Sequence, residues 1–408
     1  MAKTNKLKIF NDPIYGFIGT PNELIFNLIA HPYFQRLRRI SQMGLSYLVY
    51  PGAHHTRFHH ALGCMHLMRK AIDVLRFKQA VISEEEEKGL LAAILLHDIG
   101  HGPFSHALEY TLVPNISHET ISLRFMEKLN EEFKGELTMA ISIFKGEHPK
   151  KFLNQLVSSQ LDMDRLDYLK RDSFYTGVAE GNISSERMIT MLNVCEGELV
   201  VEEKGIYSVE KFLMARRFMY WQVYLHKTSL VAEQLLIKVI RRAKHLMSEQ
   251  QEVFASEALR SFLTYKEDVE FDGQKLQSFS MLDDVDIIAA LKAWQNHDDF
   301  VLARLSQMLI NRNLLNIKIK NKPINVDLID SKTEWVSNNY KVENEALDYF
   351  VFSGEISNRA YNENRQNINI LRKNGKLTDV AKASDHLNLK ALAKTVTKYY
   401  VCYPKESV

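Results

Sequence analysis

What this sequence lacks most usefully is an excess of charge of either sign. Lys and Arg number 52 against 50 Asp and Glu in 408 residues, a formal charge of +2. A chain that wraps nucleic acid or an anionic membrane ordinarily carries a marked basic surplus, so neither partner is indicated. Cysteine is scarce too. Cys64, Cys195 and Cys402 are the three present, with no CxxC spacing, which excludes a disulfide framework or a zinc ribbon and makes a reducing cytosol the expected setting. Long apolar runs are missing: the longest, residues 90–96, falls far short of a bilayer span, and the opening MAKTNKLK has no apolar leader segment. A cytoplasmic protein without a membrane anchor is expected. Hydrophobic residues at 46% and charged residues at 25% argue against disorder and leave ample side chains for a core. The length suits two or three lobes. Against this even background, 15 histidines stand out.

Turn signals at Asn11-Asp12-Pro13, Tyr15-Gly16 and Thr20-Pro21-Asn22 suggest a short strand or loop and then a capped helix from Pro21. Helical periodicity dominates thereafter. Ser83 and Glu86 form a capping box, and the acidic run 84–87 suits a helix N-terminus. The apolar helix that follows delivers His97 and Asp98 at its end, before Gly100-His101-Gly102-Pro103 stops it. Helices are expected over 119–134, 150–170 and 208–249, with a small hairpin at 198–207 between them. Beyond about residue 310, stretches at 317–320, 349–352 and 399–403 look strand-like. The expected fold is mainly α, a helical core with a small β-hairpin and a smaller mixed α/β C-terminal lobe. Boundaries are drawn at 1–50 (N-terminal segment), 51–240 (core), 241–312 (helical extension) and 313–408 (C-terminal lobe).

Residues 54–118 concentrate His54, His55, His59, His60, His66, His97, Asp98, His101, His106 and His118. Imidazole and carboxylate together suit Mg, Mn, Fe or Zn, provided that separate elements converge on one point. The His97-Asp98 pair can face a common ion only where its helix is ending, and a His or Asp from another helix must complete the shell. An isolated histidine is ordinarily a satisfied core or surface residue, and His54, His55, His59 and His66 are read that way.

The stretch His97-Asp98-Ile99-Gly100-His101-Gly102-Pro103-Phe104-Ser105-His106, with Thr56-Arg57-Phe58-His59-His60 before it and Asp162-Met163-Asp164-Arg165-Leu166-Asp167-Tyr168 after it, resembles the HD-domain phosphohydrolases. It resembles more narrowly their deoxynucleoside triphosphate triphosphohydrolase branch. The likeness runs from Asn11 to about Lys227. It implies one divalent ion, Mg or Mn first and Fe or Zn next, held by His60, His97, Asp98 and Asp164. It also implies that His106 and His118 serve in proton transfer and phosphate contact, with Glu109, three residues after His106, orienting that histidine.

Arg57 lies three residues before His60 and so shares its helix face, where a guanidinium suits a phosphate oxygen. His101 is assigned to the same polyanion. Arg165, Tyr168 and Asp172 fall on one face, a cation, a phenol and a carboxylate for triphosphate, sugar and sugar hydroxyl. Asp162 and Asp167 are read as structural. Arg216, Tyr220, Tyr224 and Lys227 form a second stripe, in which the resemblance gives Arg216 to the triphosphate and Tyr224 to the sugar. It gives Gln42 to the sugar 3′-hydroxyl. Arg57, Arg165, Arg216 and Lys227 are taken together as a basic set facing the metal. Relatives bind an activating nucleotide between subunits at positions matching Asn11, Gln35 and Arg38, which implies a dNTP activator and a homodimer or tetramer.

The expected activity is metal-dependent hydrolysis of a dNTP, dGTP among the candidates, to deoxynucleoside and triphosphate. The rivals are an HD nucleotidase or phosphodiesterase acting on monophosphates or cyclic nucleotides, and a nucleotide-sensing or nucleic-acid-binding oligomer.

Overall fold

The computed structural model of the protein describes residues 8–362, 367–384 and 394–405, with the side chain of His106 outside the description. The chain is mainly helical, with small sheets as expected. At its centre lies the helix Glu84–Leu96, buried at every position from Gly89 onward. A helix that is apolar all round must be covered all round, and it packs between the helices Arg57–Phe77 and Thr138–Lys145. Its start is the capping box read from the sequence: Glu86 N–H donates to Ser83 Oγ at 3.1 Å and Ser83 N–H to the Glu86 carboxylate at 2.8 Å. No helix of the described residues is long and apolar enough to cross a membrane.

The Arg57–Phe77 helix is capped by its own His59, whose Nδ1 accepts from the Thr56 N–H at 3.2 Å. A third helix, Met163–Thr176, lies against it. The two approach so closely at Gly63 that a Cβ there would sit 2.0 Å from Asp167 and 2.3 Å from Arg171. In the N-terminal hairpin, Ile9–Asp12 with Gly16–Gly19, Asp12 closes the turn by accepting from Ile14 N–H at 2.9 Å. The helix that follows is Glu23–Ala30, capped by Asn22 rather than starting at Pro21.

Several expected elements divide or move. The helix expected over 150–170 is two, Lys151–Val157 and Met163–Thr176. Buried Asp162 accepts from Ser159 N–H at 2.7 Å and Arg165 N–H at 2.8 Å, taking amides that a continuous helix would bond to its own carbonyls. The helix expected over 208–249 is also two, Ile206–Met219 and Lys227–Ser248, joined through a π-helical turn, Tyr220–Tyr224. The hairpin lies earlier than 198–207: strands Leu192–Cys195 and Glu198–Glu202 turn at Glu196 and Gly197, both at positive φ. Residues 349–352 mostly precede their strand, which is Phe352–Asn358. That strand and Asn316–Lys320 flank Val396–Tyr403 in an antiparallel sheet. Asn369–Leu371 runs parallel to Glu198–Glu202, so residues beyond 313 share a sheet with the core hairpin.

Beneath the site, Arg171 is fully buried and donates to Asp12 at 2.8 Å and to both oxygens of Asp167 at 2.8 and 3.0 Å. This ties the N-terminal hairpin to the helix that faces the histidines. Removing the cation strands two buried carboxylates, and Arg171→Leu is expected to destabilise the protein by ~3–5 kcal/mol. A thermal melt that leaves the midpoint unchanged would contradict this.

Candidate metal centre and catalytic cavity

His97 and Asp98 follow the last turn of the central helix. The Ile94 carbonyl, 2.7 Å away, can only accept, so His97 Nδ1 carries a proton and Nε2 is the ring nitrogen turned inward. That Nε2 is buried and makes no hydrogen bond. His60 arrives from the Arg57–Phe77 helix with Nδ1 at 2.8 Å from Asp167, itself held as a carboxylate by Arg171, so its Nε2 also faces inward. Asp164 comes from the first turn of the Met163–Thr176 helix. Its Oδ1 lies 3.1 Å from His60 Nε2 and 3.6 Å from His97 Nε2, while Asp98 lies 3.3 Å from His97 Nε2 and 3.7 Å from His60 Nε2.

Two imidazole nitrogens and two carboxylates from three chain segments thus converge, one of the nitrogens an orphaned buried atom. These donors fit a divalent cation. The electrostatics favour the required charge state of the oxygens. Burial would raise the carboxyls of Asp98 and Asp164, but the histidines, with Arg57 for Asp98, hold both well below the usual carboxylate range. Asp167 is pushed down to about 2, burial being outweighed by Arg171 and His60.

The loop after Asp98 is pinned from several sides. The buried guanidinium of Arg36 donates to the carbonyls of Ile99 (2.8 Å), His101 (2.9 Å) and Leu282 (3.0 Å). Ser122 bridges His97 O and Gly100 N–H, and at Gly100 a Cβ would meet the His118 carbonyl at 2.3 Å. Phe104 takes positive φ while its N–H donates to Asp284 at 3.0 Å. His101 Nε2 therefore sits 3.3 Å from Asp98, and its ring stacks on His118 at 3.9 Å between centroids. Burial and Arg57 push His101 well below the usual histidine range. His118 moves oppositely: burial lowers it, but the Glu109 hydrogen bond and the charge of Asp98 raise it overall. Glu109 accepts from the His118 backbone N–H at 2.7 Å and meets its Nδ1 at 2.7 Å. The pairing described for Glu109 is thus with His118; the side chain of His106, its expected partner, lies outside the described residues.

A cavity of about 390 Å³ opens above the centre. Its walls include Gln42, Arg57, Asp98, His101, His118, Asp164, Arg165, Tyr168, Asp172, Tyr220 and Tyr224. Arg57 is engaged there, ion-paired with Asp98 and donating to Ser105 Oγ at 2.9 Å. Arg165 pairs with Asp162. Asp172 meets His55 Nε2 at 2.7 Å and accepts from Tyr224 Oη at 2.7 Å, and the Tyr224 ring lies edge-on to Tyr168 and Tyr220.

The second stripe does not stay together. Arg216 is drawn off by the Ala360 carbonyl at 3.2 Å and lies over the Tyr220 ring. Lys227 lines a different groove, with Trp221, Lys320 and Lys398. The basic set expected to face the metal is therefore cut to Arg57 and Arg165 on the cavity wall, because the π-helical turn and the break at Leu225–His226 rotate Lys227 away. Of the regulatory positions, exposed Asn11 is on the hairpin, while Arg38 donates to Gln35 at 2.8 Å and lies 3.6 Å over the Phe58 ring.

Asp167, expected to be structural, pairs with Arg171 and from there also holds His60, whereas His55, expected to be an ordinary histidine, meets Asp172 at the cavity. Asp167 sits three residues after Asp164 on the same helix, a spacing that was a usable signal. His55 gave none, since its partner is 117 residues away. Glu233 also lines the cavity.

The chain matches the HD domain family over residues 57–172 and the HD associated region over 183–263. It is similar, at 31% identity, to the uncharacterized protein YwfO of Bacillus subtilis, across 100% of this chain and 94% of that one. It is 32% identical to the deoxynucleoside triphosphate triphosphohydrolase SAMHD1 homolog of Dictyostelium discoideum, over 59% of this chain and 50% of that protein, so it spans about half of that relative. A solved phosphohydrolase of Bacteroides thetaiotaomicron has 52% identity and a TM-score of 0.94, covering 98% of this chain and 100% of that one.

Since Asp167 orients His60 without being a ligand candidate, Asp167→Asn is expected to weaken Mn binding roughly 10–100-fold. Mn titration followed by electron paramagnetic resonance checks this.

Proposed function

The chain belongs to the HD-domain phosphohydrolase family, and we propose that it hydrolyses deoxynucleoside triphosphates at the α-phosphorus, releasing deoxynucleoside and triphosphate. The observation that carries this reading is one cavity bordered at once by the metal-type donors Asp98 and Asp164, the cations Arg57 and Arg165, and the phenol-carboxylate group of Tyr168, Asp172 and Tyr224. Its volume of about 390 Å³ is within the range of small-ligand sites. The likeness to dNTP triphosphohydrolases supports the substrate class.

A divalent cation, Mg or Mn in the first instance, would be held by His60, His97, Asp98 and Asp164 and would supply charge neutralisation at the phosphoryl oxygens and a more acidic bound water. Arg57 and Arg165 give positive charge to the polyanion, with neutral His101 as a hydrogen-bonding neighbour. Arg216 reaches the triphosphate only by leaving the Ala360 carbonyl. Tyr168 and Tyr224 pack the sugar, Asp172 accepts from its 3′-hydroxyl, and the Gln42 amide N–H donates to that hydroxyl oxygen. In the reaction a water oxygen bonds to the α-phosphorus and releases a proton to solvent, the bond from phosphorus to the 5′-oxygen breaks, and that oxygen takes a proton. His118 is suited to give it, because Glu109 favours its cation, while stacked His101 stays neutral; His106 is the other candidate donor. Neighbouring imidazoles with opposite shifts divide acid from non-acid roles. Activation by a second dNTP and assembly into a homodimer or tetramer, through Asn11, Gln35 and Arg38, belong to the same proposal.

Chromatography of each dNTP, singly and in mixtures with Mg or Mn, tests the reading: deoxynucleoside and triphosphate are expected, and orthophosphate from a monophosphate would favour the nucleotidase alternative. Asp98→Ala is expected to lower kcat by at least about 10³-fold. An acid is present below its pKa and lost as pH rises through it. Since the folded pKa of His118 is raised, the alkaline limb of kcat/KM should lie above the ordinary histidine value, and Glu109→Gln should move it down. An unmoved limb would remove His118 from the acid role.

A further inference from the structure

His55 is a buried histidine that has no task in the chemistry above. It stands outside the lining of the cavity, yet its ring and its backbone both reach residues on that lining. The ring Nε2 lies 2.7 Å from one oxygen of Asp172, whose other oxygen accepts from Tyr224 Oη at 2.7 Å. The His55 carbonyl accepts from the Gln42 N–H at 3.0 Å. Gln42, Asp172 and Tyr224, all given above to the sugar, are therefore tied to one residue behind them.

The ring has little freedom. It stacks on Tyr175 at 4.4 Å between centroids and 15° between planes. Its loop is pressed against the end of the Met163–Thr176 helix, where a Cβ at Gly52 would meet the Tyr175 carbonyl at 2.5 Å. His55 Nδ1 is buried and makes no hydrogen bond among the described residues. A proton there would be a buried donor left unpaired, whereas on Nε2 it faces a carboxylate, which can only accept. The ring is thus a fixed donor to Asp172. A carboxylate held at one oxygen alone can still turn about its Cβ–Cγ bond. With a donor fixed on each oxygen its plane is set, and about half of its lone-pair positions remain for a donor in the cavity that it lines.

We propose that His55 is the positioning residue of a 3′-hydroxyl subsite, fixing Asp172 so that it accepts from that hydroxyl and making the protein reject nucleotides that lack it; this rests on the dNTP reading above. A substrate without the hydroxyl leaves the buried acceptor one donor short, and a site built to bond a hydroxyl discriminates strongly on that account.

The experiment compares each dNTP with its 2′,3′-dideoxy counterpart, by kcat/KM for nucleoside release and by calorimetric affinity without divalent metal, in the wild type, His55→Ala, His55→Gln and His55→Asn. Glutamine carries its amide nitrogen as many bonds from Cα as histidine carries Nε2, while asparagine carries its own at the place of Nδ1. Expected are a wild-type preference for the 3′-hydroxyl of at least about 100-fold in kcat/KM, a fall in that ratio of roughly 10-fold or more in His55→Ala and His55→Asn, and a ratio near that of the wild type in His55→Gln. The same order should hold in affinity. Loss of packing alone would lower both members of a pair alike and would not separate glutamine from asparagine. A wild type that does not favour the hydroxyl, a ratio unmoved by His55→Ala, or a fall that His55→Gln shares in full overturns the assignment. If no nucleoside is released from any substrate but the affinities follow this order, the hydrolysis reading falls and the role of His55 stands; if neither follows it, both fall.

Discussion

The structure depends on holding several charged groups together in an interior that water scarcely reaches. Asp98, Asp167 and Asp172 are buried, as are Arg57, Arg171, His60 and His97. An isolated ion there would cost several kcal/mol, and opposite charges recover that cost only at close range and with good geometry. The three helices that bring these groups in are fixed by this requirement. Gly63 permits the close approach of two of them, Asp167 is gripped by Arg171 on one side and His60 on the other, and Asp12 brings the N-terminal hairpin into the same network. The apolar core sets the distances between helices, and the buried charges set their register.

From this cluster the cavity inherits two unlike walls. One is built from the ends of the central helices and the loop after Asp98, whose backbone is clamped by Arg36, Ser122 and Asp284. Preorganised dipoles and charges of this kind lower a barrier because they need not reorient as charge develops. The other wall comes from the Gly44–Leu48 turn, the π-helical turn Tyr220–Tyr224 and the Lys227–Ser248 helix. It is richer in apolar and aromatic groups. A π-helical turn is a costly local choice, and such turns are found where a functional side chain must be displaced from helical register. Here it accompanies Tyr224 reaching Asp172, 52 residues earlier in the chain.

Much of the helical core was legible because its signals are local. The Ser83–Glu86 box, the apolar stretch 90–96 and the placement of His97 and Asp98 just past a helix end each depend on residues within a turn or two. The single helices expected over 150–170 and 208–249 were misjudged for a related reason. Asp162 and His226 act as caps in mid-pattern, and periodicity cannot tell a cap from a polar face residue without knowing what surrounds it. In the candidate site, Asp164, Arg165, Tyr168 and Asp172 share a stripe and line the cavity together, whereas Arg216 and Lys227, equally periodic, part at the π-helical turn.

The histidines and aspartates along the chain by themselves pointed to a divalent-metal type of site, since imidazole with carboxylate suits such ions, and the resemblance of the motifs to the HD-domain phosphohydrolases supplied the class of chemistry. The sequence also determined the mainly helical architecture through the period of its apolar residues. Only the tertiary structure decided which groups meet across long separations: His55 with Asp172, Asp167 with His60, and Arg36 with the loop at Ile99. The physical reason is that a pattern along one helix fixes which face a side chain takes, while its partner, its burial and hence its charge state are properties of the packed interior.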